Sequence, residues 1–97
     1  MVVNRAASKL AGEGRLFLAV FRVSPKAVGL EQEDLRKAMH EAISSLSARE
    51  AKVIRLRYGL DDGVIRSLRA VGATLNLSGE WIRQIEMTAL LKLRHLL

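Results

Sequence analysis

Cysteine is absent from the 97 residues, which excludes disulfides and thiol chemistry and permits a reducing compartment without proving one. Aromatic residues make up only 4% of the chain and proline occurs once, against an apolar share of 49% rich in Leu and Ala. That balance points away from a sheet-rich fold and towards a helical one. Long apolar runs are also missing. The best of them, Leu16 to Phe21, is far too short to cross a bilayer. As a signal-peptide core it lies late, runs straight into Arg22 and has no convincing cleavage site.

Catalytic and metal-binding patterns are equally scarce. His40 and His95 are distant from each other and from carboxylates at ligand spacing, so they read as surface or helix-end histidines. Asp61-Asp62 lacks the oxygen-ligand pattern of a calcium loop and reads as a solvated turn. Ser44, Ser45 and Ser47 have no nucleophile-elbow context. Neither a phosphate-cradling glycine loop nor a zincin motif is present. The expectation is a protein without catalysis, cofactor, metal or small-molecule substrate.

What the chain does have is positive charge: 16 Lys and Arg against 10 Asp and Glu, for a net charge of +6. Such a surplus suits a polyanionic partner. Nucleic acid fits better than a membrane, because no helix combines a basic face with a broad exposed apolar one. The length holds one small domain, whose core needs contributions from nearly all of the chain.

Residues 1–29 stand apart. Arg5, Lys9, Arg15, Arg22 and Lys26 face a single acid, Glu13. This stretch reads as a basic lead-in, poorly ordered or loosely docked, with an organelle transit remnant as the lesser alternative. Ser24-Pro25 and Gly29 punctuate its end. Residues 30–97 form the domain proper. Leu35, Ala38, Met39, Ala42, Ile43 and Leu46 recur at helical steps and predict a helix over 30–46. Glu31, Glu33 and Asp34 crowd its first turns, where the helix dipole favours negative charge. Ser47 to Glu50 spells a capping box that opens a helix from Ala48 to Tyr58, with Ala51, Ile54 and Tyr58 inward and Gly59 as its stop.

The final third organises the rest. Ser67 is placed as an N-cap, a short helix runs from Leu68 to Leu75, and Asn76 suits the left-handed residue that ends it. Ser78 caps a longer helix from Gly79 to about Arg94. Ile82, Ile85, Ala89, Leu93 and Leu96 share its apolar stripe, while Glu80, Arg83, Gln84 and Met87 lie opposite. Helix, tight turn and a helix with polar outer residues is the layout of a DNA-binding helix-turn-helix. Arg, Gln and Glu also carry groups that match guanine, adenine and cytosine edges. The same layout occurs in helical domains that touch no nucleic acid; the outer face and the basic surroundings favour DNA. The predicted fold is an all-α small bundle of four helices with a C-terminal helix-turn-helix.

At LSAREAKVIRLRYGLDDG (46–63), SLRAVG and LSGEWIRQIEMTALLKLRH, the chain resembles region four of primary-type bacterial RNA polymerase sigma factors. The resemblance covers roughly 30–97 and rests on REAKVIRLRYGL and IRQIE in the right order and spacing. It implies recognition of the minus-35 promoter element in double-stranded DNA during transcription initiation. It also implies docking on the beta-subunit flap of core polymerase, in a bacterial cytoplasm or a plastid stroma. Position by position, Glu80 and Gln84 match the family's base readers, and Arg83 an arginine that contacts DNA on the same surface. Arg49 and Arg57 match phosphate-gripping residues, and Ser67 and Leu68 the start of the first motif helix beside the DNA backbone.

The departures are specific. Gly79 and Trp81 stand where the family has arginines, Arg69-Ala70 replaces its Glu-Glu, and Thr88 and Leu91 replace cations offered to activators. A missing bidentate arginine lowers base discrimination by roughly 1–3 kcal/mol. The length also leaves no room for the separate domain that opens the minus-10 element. The expectation is a truncated or stand-alone sigma-factor domain. Its alternative is an interaction module that binds the beta flap through the apolar surfaces of the Leu35–Leu60 helices and has lost promoter reading.

Overall fold

A computed structural model describes residues 5–21 and 32–97, which form five α-helices: α1 (Arg5–Phe21), α2 (Gln32–Ser44), α3 (Ala48–Tyr58), α4 (Leu68–Leu75) and α5 (Gly79–Leu96). None of the described helices is long and apolar enough to cross a membrane. The all-α class and the C-terminal helix-turn-helix are as the periodicity predicts, with one helix more than the four read from sequence.

That extra helix is α1. Residues 5–21 are not a loose lead-in: Leu16, Phe17 and Val20 are buried against Met39, Ile43, Ile54, Tyr58 and Leu93. Burying a large apolar side chain of this kind stabilises by about 1.5–3 kcal/mol. Gly12 explains why local propensity misleads here. Two glycines weaken the helix on its own, by about 1 kcal/mol each relative to alanine. Yet a Cβ at Gly12 would collide with the Tyr58 carbonyl oxygen, so the glycine lets α1 close onto the end of α3. Residues 1–4 and the stretch containing Ser24-Pro25, Gly29 and the 29/30 boundary lie outside the described residues, as do the side chain of Leu35 and the residues Leu30 and Glu31 at the expected start of α2.

Two apolar clusters share the helices. The larger joins α1, α2, Ala51, Ile54 and Tyr58 of α3, and Ala89 and Leu93 of α5. The smaller holds Val53, Val71, Ile82 and Ile85, with Leu56, Leu68, Leu75 and Leu77 packed on it. Helix α5 is therefore the spine, its first half seated in the motif and its second half in the bundle. Leu96, expected on the same stripe, is more than half exposed at the chain's end.

Polar ties set the angles between helices. Glu50 closes the capping box with Ser47, each backbone N–H donating to the other's side chain (3.0 and 3.2 Å), and also accepts from Lys92 of α5 at 2.9 Å. Burial is the largest influence on the Glu50 carboxyl and pushes its pKa up. The bonds from Lys92 and Ser47 together outweigh burial and leave the carboxyl below its ordinary value. Glu13, the one acid of the basic start, is buried and receives Arg36 and His40 of α2, each at 3.0 Å. His40 is thus not simply solvated; it helps clamp α1 to α2.

Candidate nucleic-acid interface

Three caps shape the motif. The Ser67 hydroxyl accepts the Ala70 N–H at 3.0 Å, and the Ser78 hydroxyl accepts the Trp81 N–H at 3.1 Å. Each satisfies a helix-start donor that would otherwise lack a partner. Between them Asn76 adopts φ 58° and ψ 44°, ending α4 in the left-handed region, with its N–H donating to the Gly72 carbonyl. Leu77 N–H donates to the same carbonyl at 2.8 Å. A Cβ at Gly72 would run into the Leu77 carbonyl oxygen, so a side chain there would force the turn apart.

With Ile82 and Ile85 buried, α5 turns Glu80, Arg83, Gln84 and Met87 outward. Arg83 holds Glu80 with two hydrogen bonds, Nε to Oε2 at 3.0 Å and Nη2 to Oε1 at 2.6 Å. The Arg83 bond holds the Glu80 carboxyl below the usual carboxylate range, and the same bond pushes the guanidinium up. Arg49 is exposed at the start of α3 and shares a groove of about 320 Å³ with Ser47, Trp81, Gln84 and Thr88. The structure therefore brings Arg49, Trp81 and Gln84 to one surface, with the Glu80–Arg83 pair on the same helix.

Three of the residues singled out from sequence do other work. Arg57 is only 30% exposed. Its Nε donates to Glu86 at 3.3 Å and its Nη1 donates to the Arg66 carbonyl at 2.6 Å, bracing α3 against α5 and the loop before α4. Leu68 turns its side chain into the smaller core cluster, so only its backbone is free to approach a partner. Ser67 spends its hydroxyl on the cap.

Residues that the periodicity does not single out hold this surface in place. Glu86 accepts the Tyr58 hydroxyl at 2.8 Å as well as Arg57. Burial, and then the bond to Glu86, push the Tyr58 pKa well above the usual phenol value. Asp62 accepts the Val64 N–H at 3.0 Å and binds Arg66, whose Nη1 also donates to the Leu56 and Val64 carbonyls at 3.2 and 3.1 Å. This knot fixes the path from α3 into Ser67. Asp62 and Arg66 meet in the loop between α3 and α4, whereas the Glu80–Arg83 spacing of three residues on one helix is a sequence signal for such a pair. Glu86 offers none, because its partners lie 28 and 29 residues away.

Residues 42–95 match the family model described as Sigma-70, region 4. Similar proteins include RNA polymerase sigma factor SigA of Nostoc sp., 52% identical over 61 residues, which are 63% of this chain and 16% of that protein. The probable RNA polymerase sigma-C factor of Synechocystis sp. is 52% identical over 66 residues, 68% of this chain and 16% of its own length. RNA polymerase sigma factor SigA of Clostridium acetobutylicum is 51% identical over 61 residues, 63% of this chain and 16% of that protein. The chain thus spans about one-sixth of the length of the curated relatives it matches. With more than half of its residues inside the family match, and with the capped α4–turn–α5 unit within that span, the chain belongs to the Sigma-70, region 4 family.

Proposed function

We propose that this chain is a DNA-binding module of transcription initiation that reads a minus-35-like promoter element with α5 in the major groove. The reading is a binding function and involves no catalysis. The observation that carries it is the outward face of α5: Glu80, Arg83 and Gln84 are exposed while Ile82 and Ile85 lock the helix into a capped motif. In this reading Gln84 addresses adenine and Arg83 guanine, each bidentate contact discriminating by about 1–3 kcal/mol. Arg49 grips a phosphate beside the groove. Arg57 adds charge there, but its bonds to Glu86 and the Arg66 carbonyl make it first a brace. The backbone at Ser67 and Leu68 lies along the duplex strand.

Polymerase core is the proposed protein partner, in keeping with the names of the relatives, and the bacterial cytoplasm the place of action. Docking of the beta flap on the apolar faces between Leu35 and Leu60 meets an obstacle. Met39, Ala42, Ile43, Leu46, Ala51, Ile54, Tyr58 and Leu60 are buried, with Leu16, Phe17 and Val20 of α1 packed in the same cluster. A partner can use that face only after α1 is displaced. The exposed Trp81, Met87 and Leu91 (44%, 49% and 55%) favour a second reading, an interaction module without promoter reading.

Selection of duplexes from a random pool, with and without core polymerase, separates the two. Enrichment of a minus-35-like hexamer by the wild-type protein, weakened in Gln84→Ala, supports promoter reading. Equal affinity of both proteins for every duplex overturns it, and capture of core polymerase without duplex binding supports the second reading.

A further inference from the structure

The start of α5 lies directly over the first turn of α4. A Cβ on Gly79 would sit 3.6 Å from the Arg69 Cα and N and 3.8 Å from the Leu68 carbonyl carbon. These are ordinary contact distances, so a side chain at 79 is sterically permitted, and the start of α5 packs closely on the Arg69 backbone. The Arg69 side chain is exposed and has no hydrogen bond or ion pair to another described residue. The cation of the neighbouring α5 turn is in a different state, since Arg83 is neutralised by Glu80 at 2.6 Å. The uncompensated positive charge at this corner of the motif is therefore on α4.

We propose that Arg69 is a DNA-contacting residue of this interface, its exposed guanidinium binding a backbone phosphate of the bound duplex beside the start of α5. The inference rests on the DNA-binding reading above. A guanidinium with five donors in a planar fork matches two phosphate oxygens at once. Fixed to the first turn of α4 beside the Leu68 backbone, it meets the strand and not the base edges, so it adds affinity without sequence preference.

Binding of the full chain to a labelled duplex chosen by the wild type, and to a scrambled duplex, is measured over a range of potassium chloride. The proteins compared are wild type, Arg69→Ala, Arg69→Glu and the double variant Arg69→Ala/Gly79→Arg. Arg69→Ala is expected to weaken both duplexes alike and to flatten the slope of log affinity against log salt by about 0.9. The gap to wild type should accordingly close about 3.5-fold between about 50 and about 200 mM salt. Arg69→Glu weakens binding further, and the double variant regains affinity. Thermal melting of Arg69→Ala stays at the wild-type value, because the side chain is exposed and unpaired.

Wild-type affinity and slope in Arg69→Ala, alongside normal wild-type binding, overturn this assignment and leave the DNA-binding reading standing. A loss confined to the selected duplex overturns the phosphate contact in favour of base reading. Failure of the wild type to bind any duplex overturns both.

Discussion

Arg83 and Glu80 face the same solvent yet are bound to each other, through two hydrogen bonds of 3.0 and 2.6 Å. A guanidinium clasped in this way presents less charge to a phosphate and needs a reason to leave its carboxylate. A guanine edge offers two acceptors and is such a reason; a bare backbone offers charge but less shape. In the proposed DNA-binding reading, the pair would suppress indiscriminate binding while leaving base reading open.

Removing the carboxylate tests this. Glu80→Ala frees Arg83, and the variant is expected to bind all duplexes more tightly at low salt, with a slope steeper by up to about 0.9. Preference for the selected duplex should fall by about 1–3 kcal/mol at the base pair that Glu80 addresses. Fluorescence titrations against selected and scrambled duplexes read both effects. Weaker binding to every duplex with an unchanged slope would mean that the pair enters the groove as a unit.

A second expectation concerns the brace behind the surface. Tyr58→Phe removes the hydroxyl that donates to Glu86 at 2.8 Å and leaves Arg57 in place. The loss should be about 1 kcal/mol, a fall in melting temperature of about 4–8 °C for a domain of this size, with unchanged DNA affinity below the transition. Arg57→Ala takes away charge and brace together, so weakened DNA binding in that variant counts only when measured well below its own melting temperature. A Tyr58→Phe protein that melts with the wild type would show that the bond contributes nothing net.

The turn provides a third. Gly72→Ala drives a methyl into the Leu77 carbonyl and should cost about 1–3 kcal/mol, as overpacking does. Asn76→Ala should cost at most about 1–2 kcal/mol, because at φ 58° asparagine, whose short polar side chain can bond locally, is tolerated better than alanine. Asn76→Gly should be close to neutral. Circular dichroism melts of the three variants rank them, and equal stability of Gly72→Ala and wild type would mean that the turn is looser than described.

The bounds of α3 and α4 are legible because both ends of each carry caps: Ser47 and Gly59, Ser67 and Asn76. Such signals act over three or four residues, within reach of a pattern read along the chain. The outward set Glu80, Arg83 and Gln84 is legible for the same reason, since the apolar stripe leaves it one side. Helix α1 is hidden because its stability is not local: Gly12 is a poor helix former that becomes useful only when Tyr58 arrives from α3. Arg57 shows the same limit at the interface. Its charge is visible in the sequence, but its bond to Glu86, 29 residues away, exists only once the bundle has formed.

The behaviour in acid follows from Asp62 and Glu50. The bond from Arg66, then that from the Val64 N–H, takes the Asp62 carboxyl from an ordinary 3.8 down to about 2. A group whose pKa is depressed by folding stabilises the native state above its unfolded pKa, and that stabilisation is lost as pH falls through the folded value. Asp62→Asn should therefore melt below wild type near neutral pH, and the difference should shrink as pH falls from about 4 to about 2. The pair is half-exposed on the Asp62 side, 47%, so solvent screening keeps the effect modest. Glu50 is also depressed, through Lys92 and Ser47. Glu50→Gln keeps a capping-box side chain and loses the Lys92 ion pair, so it should show the same sign of convergence in acid. Melting curves of the wild type and both variants across this range decide the matter. A gap that persists undiminished at pH 2 would mean that neither carboxylate contributes through its charge.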